Sequence, residues 1–151
     1  MTENLLIGCC TMGICLTIQC LFVSALLRCY TILQSRNLIR PTLLWSILPL
    51  AITLLTMLVG NLLQMAIWGG LFISLGEFHE FGTAFYHSVV NFSTLGYGDV
   101  VMSEPRRLLG GLEAANGVMM FGLTTSILYA VLHELMSSAW EQHAARPEPA
   151  K

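Results

Sequence analysis

At 151 residues, with 55% hydrophobic side chains against 11% charged ones and a mean hydropathy of +0.69, the chain is too apolar for an ordinary soluble domain of its length. Its formal net charge of -2 and pI near 6.0 exclude the broad basic surface that a nucleic-acid binder needs. The composition points to a lipid bilayer as solvent, where a crossing helix needs about 20 apolar residues.

The first uncharged run, Leu5 to Leu27, carries no ionisable side chain except cysteine thiols and ends at Arg28. A secretory signal would open with positive charge, whereas this chain opens Met1, Thr2, Glu3, Asn4. Residues 1–41 are therefore expected to form an extra membrane helix and a short loop with Arg28, Arg36 and Arg40. This helix is expected to pack outside the second one. Cys9, Cys10, Cys15, Cys20 and Cys29 all fall on this first segment without a CxxC pair, as small apolar residues of a membrane helix do.

The second run, residues 42–76 between Arg40 and Glu77, would make a helix of about 52 Å, longer than one crossing needs. Either its start, as far as Pro49 and including Trp45, lies along the membrane interface, or its end projects past Trp68. A third helix is predicted over 107–136, its apolar stretch Leu108–Leu132 interrupted by Glu113, with a short tail at 141–151. Lys and Arg accumulate on the cytoplasmic side. Arg28, Arg36, Arg40, Arg146 and Lys151 on one side against Arg106 and Arg107 on the other predict an external N-terminus and a cytoplasmic C-terminus.

Between the second and third runs, Phe81–Phe92 is apolar but too short to cross. A helix over 83–93, capped at Thr83, that dips in and returns as an extended strand fits, provided its non-helical backbone is shielded or lines water. Its carboxyl end, the negative end of the helix dipole, would favour a cation. The chain then continues with Thr94, Leu95, Gly96, Tyr97, Gly98 and Asp99. A bare monovalent cation costs on the order of 20 kcal/mol to desolvate in the idealised limit, and backbone carbonyls replace water without adding charge. For successive carbonyls to face one axis, alternate residues need positive or nearly positive φ, which glycine tolerates; Gly96 and Gly98 sit at that alternation. Several copies of the strand must meet to surround an ion. The alternative is a glycine-rich turn.

The stretch TLGYGD at 94–99, with AFYHSVVNFS before it and NGVMMFGLTTS after it, resembles the filter, pore helix and inner helix of prokaryotic potassium channels and one half of a two-pore-domain channel subunit. In that family filter carbonyls replace the hydration shell of K+. The resemblance implies an all-α membrane protein of three transmembrane helices with a re-entrant pore helix and extended filter. Its pore module would cover 42–140: outer helix 42–76, pore helix 83–93, filter 94–99 and inner helix 107–136. A single pore loop implies a homotetramer in the plasma membrane, conducting K+ passively, with K+ ions at Thr94, Leu95, Gly96 and Tyr97, Gly98 closing the filter, and no organic cofactor. A non-conducting subunit that regulates or scaffolds another channel is the alternative.

Departures from the family pattern are confined to supports. Tyr86 and His87 stand where two bracing aromatics are usual, so the resemblance implies that Tyr86 reaches Asp99 and His87 the Tyr97 hydroxyl of a neighbouring subunit. Val90 stands where some relatives place a glutamate. His87, with an ordinary imidazole pKa near 6.5, makes external pH a candidate stimulus; a neutral packed histidine is the alternative. Glu113 and Asn116, a turn apart in the third run, need partners there; a structural brace against Ser93 or Tyr86 is expected, or outer water. Gly117 or Gly122 offers a bending point or close packing, and Leu123, Ser126 and Ala130 would line the cavity. No arginine ladder is present, so charged-helix voltage sensing is not expected. The tail is too short for a ligand-binding domain, which leaves gating to the pore module or a partner. No nucleophile–base set suggests an enzyme.

Overall fold

The computed structural model describes residues 1–35 and 43–144, with side chains described over 1–32 and 47–137. The expectations for Arg36, Arg40, Arg146 and Lys151, and for the side chain of Trp45, lie outside the described residues. Four α-helices, α1 (Thr2–Ser35), α2 (Leu43–Ser74), α3 (Phe81–Phe92) and α4 (Arg107–Ala144), and a 3-10 turn at Glu104–Arg106 make up the regular structure; no strand occurs among the described residues.

Three stretches, Thr2–Ile32, Ile47–Ser74 and Glu104–Ser137, are long and apolar enough to cross a membrane. The molecule is an all-α, multi-pass membrane protein. Helices suit this solvent because each closes its backbone hydrogen bonds internally. Pro49 falls inside α2 without ending it, and the Thr53 hydroxyl donates to the Pro49 carbonyl at 2.8 Å. At the other end Gly76, at φ +76°, closes the helix: its N–H donates to Ile73 O at 2.9 Å and the Glu77 N–H to Phe72 O at 3.0 Å, the pairing that a left-handed residue after a helix makes possible.

The core lies where the four helices meet, around Cys15, Met65, Trp68, Phe72, Phe92, Met102, Leu109 and Met120. Helix α3 wedges between α2 and α4. It runs antiparallel to α2, with Phe85 against Gly69 and the Ser88 hydroxyl donating to Met65 O at 2.8 Å. Along α4 it runs parallel, from Ser88 on Glu113 to Phe92 against Gly117. It begins at Phe81, after Glu80, which makes no side-chain cap; the predicted cap Thr83 sits inside the helix. Helix α1 does not pack outside α2 as expected. It contacts both α2 and α4, because its small and polar residues face them: Gly8 lies on Leu112, and a Cβ on Gly60 would come within 2.7 Å of the Gln19 amide oxygen.

Candidate functional site

Segment 94–99 leaves the carboxyl end of α3 through a second left-handed closure. The Thr94 N–H donates to Asn91 O at 2.8 Å and the Leu95 N–H to Val90 O at 2.9 Å. The residue that must be left-handed here is Thr94, at φ 60°, where α2 uses a glycine. A branched side chain resists this by about 1–2 kcal/mol, and strain of this kind persists only where surroundings enforce it. Positive φ then recurs at Gly96 (58°) and Gly98 (75°). The left-handed alternation thus begins one glycine-spacing earlier than the sequence suggested, and Thr94 to Asp99 are all exposed in the single chain. Behind the segment, His87, Asn91, Met102 and Gly110 line a cavity of about 430 Å³.

Both sides of the segment are tethered. The Tyr86 hydroxyl donates to Asp99 Oδ2 at 2.7 Å, which holds the Asp99 carboxyl below and the Tyr86 phenol above their usual ranges. Further on, the Glu77 carboxylate accepts from the Ser103 N–H at 2.8 Å and its hydroxyl at 2.7 Å, tying the exit of the segment to the end of α2. Arg106 lies 3.7 Å from Glu3 and Arg107 3.4 Å from Glu104; such exposed pairs contribute little.

His87 is buried in its own chain. Phe72 meets its ring edge-on at a centroid distance of 5.4 Å and Phe78 lies at 5.0 Å, while the Asn91 amide nitrogen is 3.2 Å from Nδ1. Tyr97 is exposed and is not joined to it within the chain. Burial pushes the imidazole pKa down, against opposing pulls from Glu77 and Asp99. A histidine lowered in the folded state is neutral in both states at high pH, and the unfolded state takes up the proton first as pH falls. The His87 contribution to the thermal transition, read as the difference between wild type and His87→Phe, is therefore expected to be flat above about pH 6.5 and to fall progressively below it. His87→Phe, which extends the ring cluster, should flatten the His87 part of that slope; an undiminished slope would assign it to other groups.

Glu113 is fully buried. Its Oε1 is paired with the Ser88 hydroxyl, whose own hydrogen goes to Met65 O, so it meets α3 at Ser88, not at Ser93 or Tyr86 and not in outer water. The reason is helical phase: Ser88 shares its face of α3 with the buried Ala84 and Phe92, whereas Tyr86 is turned out to the surface. Asn116 points to neither α3 nor the 94–99 segment; its amide donates to the Gln64 oxygen of α2 at 3.3 Å. At Gly117 a Cβ would collide with the Phe92 carbonyl, while at Gly122 nothing lies within 4 Å. Leu123 is half-buried and Ser126 exposed, the latter donating to Gly122 O at 3.0 Å. Ala130 lines an apolar cavity of about 350 Å³ with residues of α1 and α2. Steps of four residues from Gly122 turn about 40° further around the helix each time, which carries Ala130 toward that side.

Residues 61–134 match the family model described as "Ion channel". The match supports an ion-channel family. It spans the second half of α2, all of α3, the 94–99 segment and most of α4, which is the part of the fold that carries the Tyr86 and Glu77 tethers. The ion-channel domain and three apolar helices support a channel-type function in a membrane. A comparison with curated proteins returned no match, nor did one with solved structures.

Residues that sequence reasoning missed are Gln19, Gln64, Ser88 and the Glu77–Ser103 pair. Gln19 and Gln64 had a signal: amides within uncharged runs are costly in hydrocarbon unless partnered.

Proposed function

We propose that this chain is one subunit of a homotetrameric, potassium-selective channel that conducts K+ passively. In this reading α3 is a re-entrant pore helix, and four copies of Thr94, Leu95, Gly96 and Tyr97 present their carbonyls to K+ ions on a shared axis, with Gly98 turning the strand out. The observation that carries the reading is the recurrence of positive φ at Thr94, Gly96 and Gly98, on an exposed segment leaving the carboxyl end of a short buried helix. No charge has to be introduced: carbonyl dipoles offset the desolvation of the ion, and the adjacent helix end adds favourable potential. The plasma membrane, with the N-terminus outside and the C-terminus inside, is the arrangement that the Arg and Lys distribution favours.

Purified protein in liposomes tests the proposal. A barium-blockable K+ flux is expected, with a reversal potential that follows the K+ gradient and ignores Na+. Well-folded tetramers that pass no current would instead indicate a regulatory or scaffolding subunit. A reversal potential that follows Na+ equally would remove the selectivity claim.

A further inference from the structure

Helix α1 makes polar contacts at two levels, with α2 at mid-span and with the turn before α4 at its outer end. At mid-span Gln19, Gln64 and Asn116, all fully buried, form a chain across three helices. The Gln64 amide donates to the Gln19 oxygen at 2.8 Å and the Asn116 amide to the Gln64 oxygen at 3.3 Å; the remaining Gln19 amide hydrogen points at the Met57 sulfur, 3.2 Å away. Asn116 lies one turn beyond Glu113, the residue that holds α3 at Ser88. Through Gln64 of α2, α1 is therefore linked to the stretch of α4 that positions α3. At the other end, the Asn4 amide donates to Pro105 O, and Arg106 Nη1 donates to Asn4 Oδ1 at 3.0 Å. This holds the turn through which the chain returns from the 94–99 segment to α4.

A helix serving only as apolar packing has no use for these groups. Leucine at 19 and 64 would pack against lipid-like surroundings without needing a partner, whereas each amide commits its neighbours to one register, since a misaligned helix would strand it in hydrocarbon. Amides between membrane helices tie them together, and here they join α1 to α2 and α2 to α4, with Asn116 Oδ1 left buried and without a partner.

We propose that α1 is a positioning element for the 94–99 segment, acting from Gln19 by way of Gln64 on α4 and through Asn4 on the exit turn. It sets the register of the helix that holds α3 and clamps the far end of the strand, so that both flanks of the segment are fixed by one helix. The positioning role stands on this geometry alone; its consequence for ion selectivity rests on the potassium-channel reading.

Gln19→Leu and Asn4→Ala in the full chain, each compared with wild type, test it. Folded assemblies isolated by size exclusion are expected in both cases. Amide hydrogen exchange across residues 88–106 should rise at least tenfold in Gln19→Leu, and across 100–106 in Asn4→Ala, while residues 47–53 of α2, away from Gln19, keep wild-type exchange. In liposomes the K+ over Na+ permeability ratio should drop at least fivefold in Gln19→Leu. Wild-type exchange at 88–106 in both variants overturns the proposal, as does an unchanged permeability ratio in both where the wild type is selective. A wild type that passes no selective current, with exchange raised in the variants, removes the channel reading and leaves the positioning role standing. Should Gln19→Leu fail to fold, Asn4→Ala alone decides the matter by its exchange.

Discussion

Gly117→Ala is expected to disrupt the protein more than any other single added methyl in α4. A Cβ there would overlap the Phe92 carbonyl oxygen and lie 2.8 Å from its carbon and 3.1 Å from its Cα. These are backbone atoms of α3, which cannot rotate aside. Overpacking a filled core costs roughly 1–3 kcal/mol; where only the shift of a whole helix relieves it, the upper end or beyond applies. α3 would have to leave α4, taking Ser88 from Glu113 and burying a carboxyl without its partner. The measurement is the yield and thermal transition of folded protein in detergent. Gly110→Ala should be milder, because the atoms it meets at 3.0 and 3.1 Å are the ends of the Asn91 and Met102 side chains. Gly122→Ala, with nothing within 4 Å, should leave the fold of the chain intact and stiffen α4 by about 1 kcal/mol. Equal losses at 117 and 122 would remove the packing account of Gly117.

On the proposed potassium-channel reading, Gly96→Ala should abolish K+ selectivity while leaving folded protein in place. There is room for the methyl, since nothing lies within 4 Å of its Cβ position. The obstacle is φ 58°, which costs an L-residue about 1–2 kcal/mol in every subunit. The strand is expected to relieve that cost by rotating the peptide, which turns a carbonyl away from its neighbours. Gly98→Ala, at φ 75°, should behave alike, and Gly70→Ala, on the surface of α2 with open space around it, serves as a silent control. The readout is the shift of reversal potential on exchanging K+ for Na+ in liposomes. A wild-type reversal potential in Gly96→Ala would mean that the left-handed alternation does not hold the conducting geometry.

How the site is held was legible in proportion to how local it is. Tyr86 and Asp99 are joined across one short helix and a six-residue strand, and resemblance to a filter motif was enough to suggest their pairing. The Glu113 partner was not readable in the same way. Any of several hydroxyls on α3 lay within reach of a carboxyl on α4, and the choice of Ser88 is set by the rotation of α3 about its own axis. His87 was readable as a titratable group but not as one enclosed by Phe72 and Phe78, which come from α2 and the loop after it.

By itself the sequence determined the solvent and the element types, since three apolar runs and a half-length one admit few other structures in lipid, and it marked Gly96 and Gly98 as positions needing left-handed backbone. Only the tertiary structure decided that Thr94 shares that conformation, that Gly117 is a contact between backbones, and that α1 is wedged against α2 through Gln19 and against α4 through Gly8. The physical reason is that periodicity and backbone preference act within a few residues. Which face of one helix meets which face of another depends on crossing positions and axial rotation, and these are settled jointly by residues as far apart as Gln19, Gln64 and Asn116.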